Sequence, residues 1–505
     1  MKNRNTLSYI PETGNMNTAG HISRNTLSLL SSRIFEYFCF FLFSVYYIPR
    51  LGPHQYGVFK YATSLTGLFF ILADFGLGMM IIREIARLPL DKRPPLISLV
   101  LFLKILLAFL TFGLIMALTF LIHKDPQVRF IITLFGITTI LNSMIHFYCG
   151  VFQGYEKMHL IVIVRILTTI AICVPGFAAL ERGFGITGLA VANIVGNVCG
   201  LLIALIIAGK LCGRLSLRMD WGKASSLLKI AFPFGVFTLF STIYVQIDNV
   251  MIFHIKGDEA LGIYAAATRI VIAVCFFTEA FMGTLYPILS RYFIEDRERL
   301  EKTYLRALWF LYITGLPATI GLWCLAKPLV VFLFGATYEK SGPVLSLLSV
   351  MIFLRFVGNV PATLLTAINK QIIRMWIVIS ASVLNIILNL FLIRHYSYYG
   401  AAYATLIVNF LLLLVFYYMG HRLNFRIDKI LPRLVKPTIA TGIMFFFLII
   451  SARMHVIVQF FIGVLVYGSA LLLLGSFNRD ERELFRKAVS GIVRQLGTPA
   501  KDKHN

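Results

Sequence analysis

The stretch GPHQYGVFKYAT, residues 52–63, has a counterpart 205 positions later in GDEALGIYAAAT, residues 257–268. A second match lies further along the chain, where GLAVANIVGN from Gly188 is similar to GAAYATLIVN from Gly400 at an offset of 212. The two matches are colinear, and a short insertion between them accounts for the change of offset. We therefore predict that the chain contains two copies of one structural unit.

The glycines of the repeated stretch indicate what it does. Gly52, with Pro53, interrupts the first long apolar run, and Gly257 ends the corresponding run of the second copy. Glycine tolerates the left-handed conformations that terminate helices. Gly57 and Gly262 stand where the next helix begins, and there they allow two backbones to approach closely. We interpret these glycines as part of the scaffold and not of a binding site.

The rest of the chain is dominated by apolar runs. It is 58% hydrophobic and 14% charged, whereas soluble domains contain about 45–50% apolar and about 25% charged residues. Runs such as LVLFLKILLAFLTFGLIMALTFLI, residues 99–122, are long enough to cross a bilayer as a helix. A transmembrane β-barrel would show alternating apolar and polar residues instead. The predicted fold class is all-α and integral to the membrane, with about 14 transmembrane helices in two six-helix lobes plus two C-terminal helices.

The apolar runs also set the predicted domain boundaries. The fourteen predicted spans lie near residues 26–48, 58–82, 96–122, 129–150, 158–180, 184–208, 229–252, 261–289, 305–325, 343–367, 373–394, 399–419, 436–452 and 456–476. Each copy holds an even number of spans, so the two copies share one orientation, as in a parallel transporter repeat. The predicted domains are a cytoplasmic tail 1–23, an N-lobe 24–210, a cytoplasmic connecting segment 211–228, a C-lobe 229–420, a cytoplasmic basic loop 421–435, the last two spans 436–476 and a cytoplasmic basic tail 477–505.

The formal charge of +24 is explained by topology. Most of the 47 Lys and Arg residues fall in the segments that lie on the same side of the membrane as the two termini. The positive-inside rule therefore predicts that both termini are cytoplasmic. Contact with anionic membrane lipid accounts for the remaining basicity, and no nucleic-acid partner is predicted.

Three arginines within spans are the candidate substrate-binding residues. A charged side chain in a membrane is costly and usually faces a cavity, a partner or a pathway. Arg269 and Arg355 have no acidic residue at helical spacing, and Arg33 lies in the first copy. A guanidinium group binds phosphate oxygens in pairs and keeps its charge when buried. We predict that the three arginines line a central cavity and attract an anionic, phosphate-bearing substrate.

Acidic residues within the spans are candidates for ion coupling, proton coupling or a gate. They are Asp74, Asp248, Glu279 and Glu36. Asp74 aligns with Glu279 in the repeat, which predicts a symmetric latch with one carboxylate in each half.

The remaining charges in the first copy have simpler interpretations. Glu36 stands three residues after Arg33, so the two side chains can lie on one helix face and neutralise each other. Lys104 and Arg165 are within about two turns of a membrane surface and are predicted to extend their charged ends towards it.

Motifs for catalysis or cofactor binding are missing from the sequence. It has no GxxxxGK[ST] phosphate loop, no HExxH and no nucleophile elbow, and the seven cysteines are scattered without CxxC spacing. The loops predicted to be external are short, whereas membrane glycosyltransferases and ligases need a larger external platform. We predict a transporter and not an enzyme, with no cofactor and no metal.

Several motifs together carry a family resemblance. They are RLGPHQYGVF at Arg50, DFGLGMMIIREIAR at Asp74, QGYEKM at Gln153, QIDNVMI at Gln246, ALGIYAAATRI at Ala260, LFGATYEKSG at Leu333, NIILNLFLI at Asn385 and YGAAYAT at Tyr399. Over about residues 25–475, the chain resembles the polysaccharide-exporter family, which includes O-antigen and capsule-unit flippases. That family belongs to the multidrug, oligosaccharidyl-lipid and polysaccharide exporter superfamily.

The resemblance implies a fold and a cargo. It implies two six-helix lobes in a V that opens alternately to each side of the bacterial cytoplasmic membrane. We also predict that the protein works as a monomer. It implies that the cargo is an undecaprenyl-pyrophosphate-linked oligosaccharide for cell-surface polysaccharide assembly, handed on to polymerase and ligase machinery. Related flippases carry cavity cations in the first, second and eighth spans. Arg33 and Arg269 match the first and eighth, but the second span offers only Lys60 near its outer end.

Two other functions remain open from the sequence. A cation-coupled multidrug or metabolite antiporter of the same fold would use an acidic site in the first or seventh span, which Glu36 or Asp248 could supply. A membrane polysaccharide polymerase or ligase would act on the same glycolipids.

Overall fold

The computed structural model describes residues 16–213, 221–425, 428 and 430–476. The predicted tail 477–505, most of the predicted tail 1–23 and the centre of the connecting segment 211–228 lie outside the described residues, as do three positions of the basic loop 421–435. Within the described ranges every regular element is helical, which confirms the predicted all-α class.

The described ranges contain fourteen α-helices. They are α1 Met16–Asp74, α2 Leu77–Arg87, α3 Arg93–Ile122, α4 Pro126–Gly154, α5 Met158–Glu181, α6 Gly185–Cys212, α7 Trp221–Lys256, α8 Asp258–Glu295, α9 Arg297–Phe334, α10 Ser341–Ala367, α11 Gln371–Tyr396, α12 Tyr398–Arg422, α13 Leu431–Ile450 and α14 Val456–Leu473.

Helix α1 contains the first predicted span and most of the second. Its 59 residues would extend about 88 Å if straight, roughly three times the thickness of the hydrocarbon core. Gly52 interrupts it with φ 70° and ψ 169°, and Gly257, between α7 and α8, has nearly the same conformation with φ 87° and ψ −177°. The repeated stretch therefore produces the same backbone feature twice, as the sequence predicted.

The number of candidate membrane-crossing segments agrees with the fourteen predicted spans. Thirteen helical segments among the described residues are long and apolar enough to cross a bilayer. One of them, Ser31–Arg87, is 57 residues long and includes the kink at Gly52, so it holds two of the fourteen predicted spans. The chain is a multi-pass membrane protein.

The second predicted span contains a helix break. The sequence predicted one helix over 58–82, but Phe75 and Gly76 both have positive φ angles, 48° and 77°, and separate α1 from α2. The correction has a local cause, because glycine at position 76 can adopt the left-handed conformation that breaks the helix.

The chain divides into two compact units, one up to Phe253 and one from His254. Almost all of α7 thus packs with the first unit. The predicted lobe boundary at 211–228 was drawn from the sequence repeat, and it stays a prediction.

Each unit is built around one central helix. In the first unit α4 packs against α1, α2, α3, α5 and α6, and in the second unit α10 packs against α8, α9, α11 and α12. Helices α13 and α14 pack on each other and on α9. Glycine residues allow the helices to pack this closely. A Cβ on Gly154 would lie 2.8 Å from Ile85 Cβ, and a Cβ on Gly315 would lie 2.8 Å from Phe356 Cβ.

Candidate functional site

A buried ion pair lies at the break between α1 and α2. Lys104 Nζ, on α3, is 2.6 Å from Asp74 Oδ1 and 2.9 Å from Ser143 Oγ on α4. The Lys104 side chain is 0% exposed and that of Asp74 is 8% exposed. The prediction that Lys104 extends to the membrane surface is therefore wrong. A carboxylate and a hydroxyl within hydrogen-bond distance solvate the ammonium group in the interior instead.

The helix break places Asp74 for this role. Its second carboxylate oxygen, Oδ2, accepts a hydrogen bond of 3.4 Å from the backbone N–H of Gly78 in the first turn of α2. The amino end of a helix stabilises a nearby anion. Ser143 also donates to the carbonyl of Ala73, at 3.4 Å, so α4 is bonded to both the backbone and the ion pair at the break.

His146, also on α4, is the next member of the site. Its Nδ1 lies 3.9 Å from Asp74 Oδ1, and 47% of its side chain is exposed. Gly78 leaves the space that this approach needs, because a Cβ there would lie 3.1 Å from both Asp74 Oδ1 and His146 Nδ1. The ring of Phe70 meets the imidazole edge-on, with the ring centroids 5.9 Å apart.

A second ion pair joins α5 to α1. Arg165 Nη1 is 3.0 Å from Glu36 Oε2, and both side chains are a little over a quarter exposed. Glu36 is thus bonded across helices and not to Arg33, three residues before it, so the predicted Arg33–Glu36 pair is wrong. The prediction that Arg165 extends to the membrane surface is wrong for the same reason. Arg33 is exposed, and no ion pair joins it to another described residue.

These groups form one electrostatic neighbourhood. The charges of Asp74, Lys104, Arg165 and Arg33 all act on His146. We call this set the first-unit charge cluster: Arg33, Glu36, Asp74, Lys104, His146 and Arg165. Its three fixed cations and two carboxylates leave one positive charge in excess before His146 takes up a proton.

The second unit has a sparser arrangement. Arg355 on α10 is half-buried, and Glu279 on α8 is exposed. Both charges act on the buried Cys275 of α8, so they lie in one region of this unit. Arg269, on the same helix, is half-buried. The repeat-related carboxylates Asp74 and Glu279 therefore differ in their surroundings, and the expected symmetry does not extend to them.

Asp248 is buried on α7, next in sequence to a residue of a separate polar layer. The neighbouring Asn249 donates to Ser64 Oγ at 3.0 Å, and Ser64 donates to Gln246 at 2.9 Å. Ser64 is ten residues before Asp74, about 15 Å along α1. Asp248 thus accompanies a polar layer that is separate from the first-unit charge cluster.

Sequence reasoning missed His146, Ser143 and the role of Gly78. The run NSMIHFYCG on α4 is apolar apart from single polar residues, and a lone histidine in such a run gives no sign of its partner. The motif DFGLG did carry a signal at Gly76, because two glycines one residue apart in an apolar run favour a helix break.

Comparisons with known proteins agree with this architecture. The family model described as "Polysaccharide biosynthesis protein" matches residues 22–293, which is more than half of the chain. A second family model, MatE, matches residues 233–391.

Two relatives are matched over most of their length. The chain is 23% identical over 460 residues to the "Probable low-salt glycan biosynthesis flippase" of Haloferax volcanii, covering 90% of this chain and 96% of that protein. It is 25% identical over 401 residues to a "Putative O-antigen transporter" of Shigella flexneri, covering 74% of this chain and 94% of the relative. Among solved structures, the inward closed conformation of the lipid II flippase MurJ superposes with a TM-score of 0.72 at 15% identity. That match covers 92% of this chain and 99% of the other, and it shows a shared fold.

Proposed function

Because the chain belongs to the polysaccharide biosynthesis protein family, we propose that it is a flippase for lipid-linked oligosaccharide. The cargo is an oligosaccharide on undecaprenyl pyrophosphate, and it moves from the cytoplasmic to the outer leaflet of the bacterial cytoplasmic membrane. The flippase and transporter names of the relatives from Haloferax volcanii and Shigella flexneri support this assignment.

The observation that carries the proposal is the excess of positive charge in the first-unit charge cluster. This cluster keeps one cation more than its carboxylates can neutralise. In the second unit, Arg269 and Arg355 are half-buried cations on apolar helices. Positive charge within a membrane is costly unless it serves a ligand or pathway. A pyrophosphate group matches it, because guanidinium groups bind phosphate oxygens bidentately.

Each arginine has a stated role in the proposal. Arg33, exposed and without an ion pair to a described residue, is the candidate phosphate ligand of the first unit, and Arg269 and Arg355 are the candidate ligands of the second. The lipid tail stays in the bilayer. Transport follows alternating access, since release requires only that two conformations differ in their affinity for the cargo.

The four acidic candidates are assigned different roles according to their contacts in the structure. Asp74 already holds a cation, Lys104, at 2.6 Å, so we assign it to holding the helix break as a gate element. Glu36 is released for coupling only when its bond to Arg165 opens. Asp248 and Glu279 remain the candidates for ion or proton coupling.

Orientation and partners complete the proposal. Both termini face the cytoplasm, as the distribution of basic residues between the spans indicates. The monomer hands its cargo to the polymerase and ligase that extend and attach the polysaccharide on the outer side.

A cation-coupled antiporter is the second candidate function. The MatE match over residues 233–391 favours it. A flippase and an antiporter differ in cargo, so the two are separated by what accumulates when the protein is removed.

The test is the leaflet distribution of lipid-linked saccharide in a deletion strain. We expect the unit-bearing carrier to accumulate where a membrane-impermeant oxidant added to intact spheroplasts cannot reach it, and plasmid-borne wild type to reverse this. Arg33→Ala combined with Arg355→Ala should not restore the distribution, whereas Arg182→Ala, at an exposed position after α5, should. Accumulation of single units accessible from outside would instead indicate a polymerase. An unchanged carrier pool with altered drug retention would indicate the antiporter.

A further inference from the structure

His146 differs from every other member of the first-unit charge cluster. An imidazole is the side chain whose charge changes near neutral pH, whereas the remaining members are arginine, lysine and carboxylates. Asp74 and Lys104 are buried, but nearly half of the His146 side chain is exposed. A titratable group therefore lies partly exposed at the edge of a fixed, buried ion pair.

The ring is held in a defined orientation. Nδ1 faces Asp74 Oδ1 at 3.9 Å, Phe70 meets the ring edge-on, and Gly78 offers no side chain to push the imidazole away. Because the two ring nitrogens lie on different sides of the imidazole, Nε2 is left to serve another partner.

The charges around the ring come from three of the five helices packed on α4. Arg33, Glu36 and Asp74 are on α1, Lys104 is on α3, and Arg165 is on α5. Helix α2 places Gly78 against the ring, and its charged residues begin at Arg83, more than a turn further on. Helix α6 has no charged residue in 185–209. On α4 itself the nearby titratable side chains are Tyr148 and Cys149.

This balance depends on whether an anion is present. Without cargo the fixed charges sum to one positive charge, which opposes a second one on the imidazole. The pyrophosphate of the cargo, bound beside Arg33, brings two negative charges into the same neighbourhood. An opposite charge nearby favours the charged form of an ionisable group.

We propose that His146 is a further phosphate-binding residue, neutral in the empty site and protonated when the pyrophosphate of the cargo is bound. The imidazole takes this proton from water, and imidazolium Nε2–H donates to a phosphate oxygen. Cargo binding thus takes up one proton at the first unit. By linkage, a lower pH strengthens cargo binding. The inference rests on the proposed function for its choice of ligand.

The experiment measures proton uptake on binding by the purified full-length protein in lipid nanodiscs. Farnesyl pyrophosphate is the probe, and calorimetric titrations are run at pH 6, 7 and 8 in buffers of different ionisation enthalpy. The probe itself titrates, so the informative quantity is the difference between wild type and His146→Gln. His159→Gln is the matched control, because His159 is an exposed histidine at the start of α5, outside the cluster.

The expected result is a greater proton uptake by wild type than by His146→Gln at pH 7–8, with one proton per bound ligand as the upper limit. The affinity of wild type should change with pH more steeply than that of the variant, by up to about tenfold per pH unit, the limit for one linked proton. His159→Gln should behave as wild type. Equal proton uptake by wild type and His146→Gln would overturn the proposal.

A second measurement, on wild-type protein, tests the proposal even if His146→Gln does not fold. In wild-type protein with ¹³C-labelled histidine, one imidazole resonance should move to the chemical shift of a protonated ring when farnesyl pyrophosphate is added at pH 7.5. The same change should occur in His159→Gln. No such shift overturns the inference. Failure of the flippase function is distinguishable, because a protein that takes up the extra proton yet leaves the leaflet distribution unchanged in cells would refute the function and keep the phosphate site.

Discussion

The two copies of the repeated unit have the same backbone at Gly52 and Gly257 but differ at Asp74 and Glu279. In the first copy the helix stops after Asp74, and two residues with positive φ lead into α2. In the second copy α8 continues without a break from Asp258 to Glu295, through Glu279.

The difference can be traced to individual positions. The residue that aligns with Gly76 is Phe281, and phenylalanine cannot adopt the left-handed conformation as easily. The partner of Asp74 is Lys104 on α3, whereas α9 has no charged residue in 307–326. Gly78 is crowded by Asp74 and His146, but its counterpart Gly283 has open space around it.

The comparison shows that the repeat specifies the scaffold and not the chemistry. Turn glycines recur because both copies need the same helical hairpin. The buried ion pair, the helix break and the accessible histidine occur together in one copy. Two pairs of substitutions compare the copies and a third pair tests the helix break within the first copy, from the largest expected effect to the smallest.

The largest effect is expected from Lys104→Ala. It leaves the buried carboxylate of Asp74 without its partner, and removing one member of a buried pair costs about 3–5 kcal/mol. Glu279 is the exposed counterpart of Asp74, and Glu279→Ala should change the free energy of unfolding by less than about 0.5 kcal/mol. The measurement is the midpoint of thermal unfolding in detergent. It is obtained from the amount of folded protein that size-exclusion chromatography detects after heating to each temperature.

A double variant guards against simple failure to fold. Lys104→Met with Asp74→Leu removes both charges and should recover much of the stability lost in Lys104→Ala. Equal losses in Lys104→Ala and Glu279→Ala would show that the two copies do not differ in this respect.

A smaller effect is expected from Gly76→Ala. Its Cβ would lie 2.6 Å from the carbonyl oxygen of Ala231 on α7, and φ is 77°. Strain and crowding together should cost about 2–4 kcal/mol. Gly183→Ala is the control, because Gly183 has φ 79° with nothing within 4 Å and so reports the strain alone. If the free energy of unfolding falls by the same amount in both variants, the contact between the helix break and α7 does not contribute to the stability of the fold.

The smallest effect separates Gly78 from Gly283. A methyl group at position 78 would press on Asp74 and His146 and should cost about 1–3 kcal/mol. The same change at Gly283, in open space within α8, should stabilise by up to about 1 kcal/mol, since alanine favours a helix over glycine. Thermal midpoints that move in the same direction for both variants would contradict the proposed asymmetry.

The sequence predicted the features that depend on local chemistry. Apolar runs and the glycines at 52 and 257 gave the spans and the repeated kink, because helix formation and termination are decided by neighbouring residues. The partner of Lys104 lies 30 residues away, and that of Arg165 lies 129 residues away. Whether a charge extends to a surface or pairs in the interior depends on which helices become neighbours. Pairing of that kind has no periodic signature, so these contacts and the position of His146 required the structure.

The most direct test of an anion-binding interior is translocation by the purified protein in liposomes that carry a fluorescent lipid-linked pyrophosphate oligosaccharide. Wild type should move the lipid between leaflets well above protein-free liposomes. Arg33→Ala with Arg355→Ala should slow it about tenfold or more, since each hydrogen bond to a charged group contributes about 1.5–3 kcal/mol. The corresponding double change to lysine should keep part of the rate. Translocation at the wild-type rate by the double alanine variant, correctly folded and inserted, would contradict the claim that these cations bind the cargo.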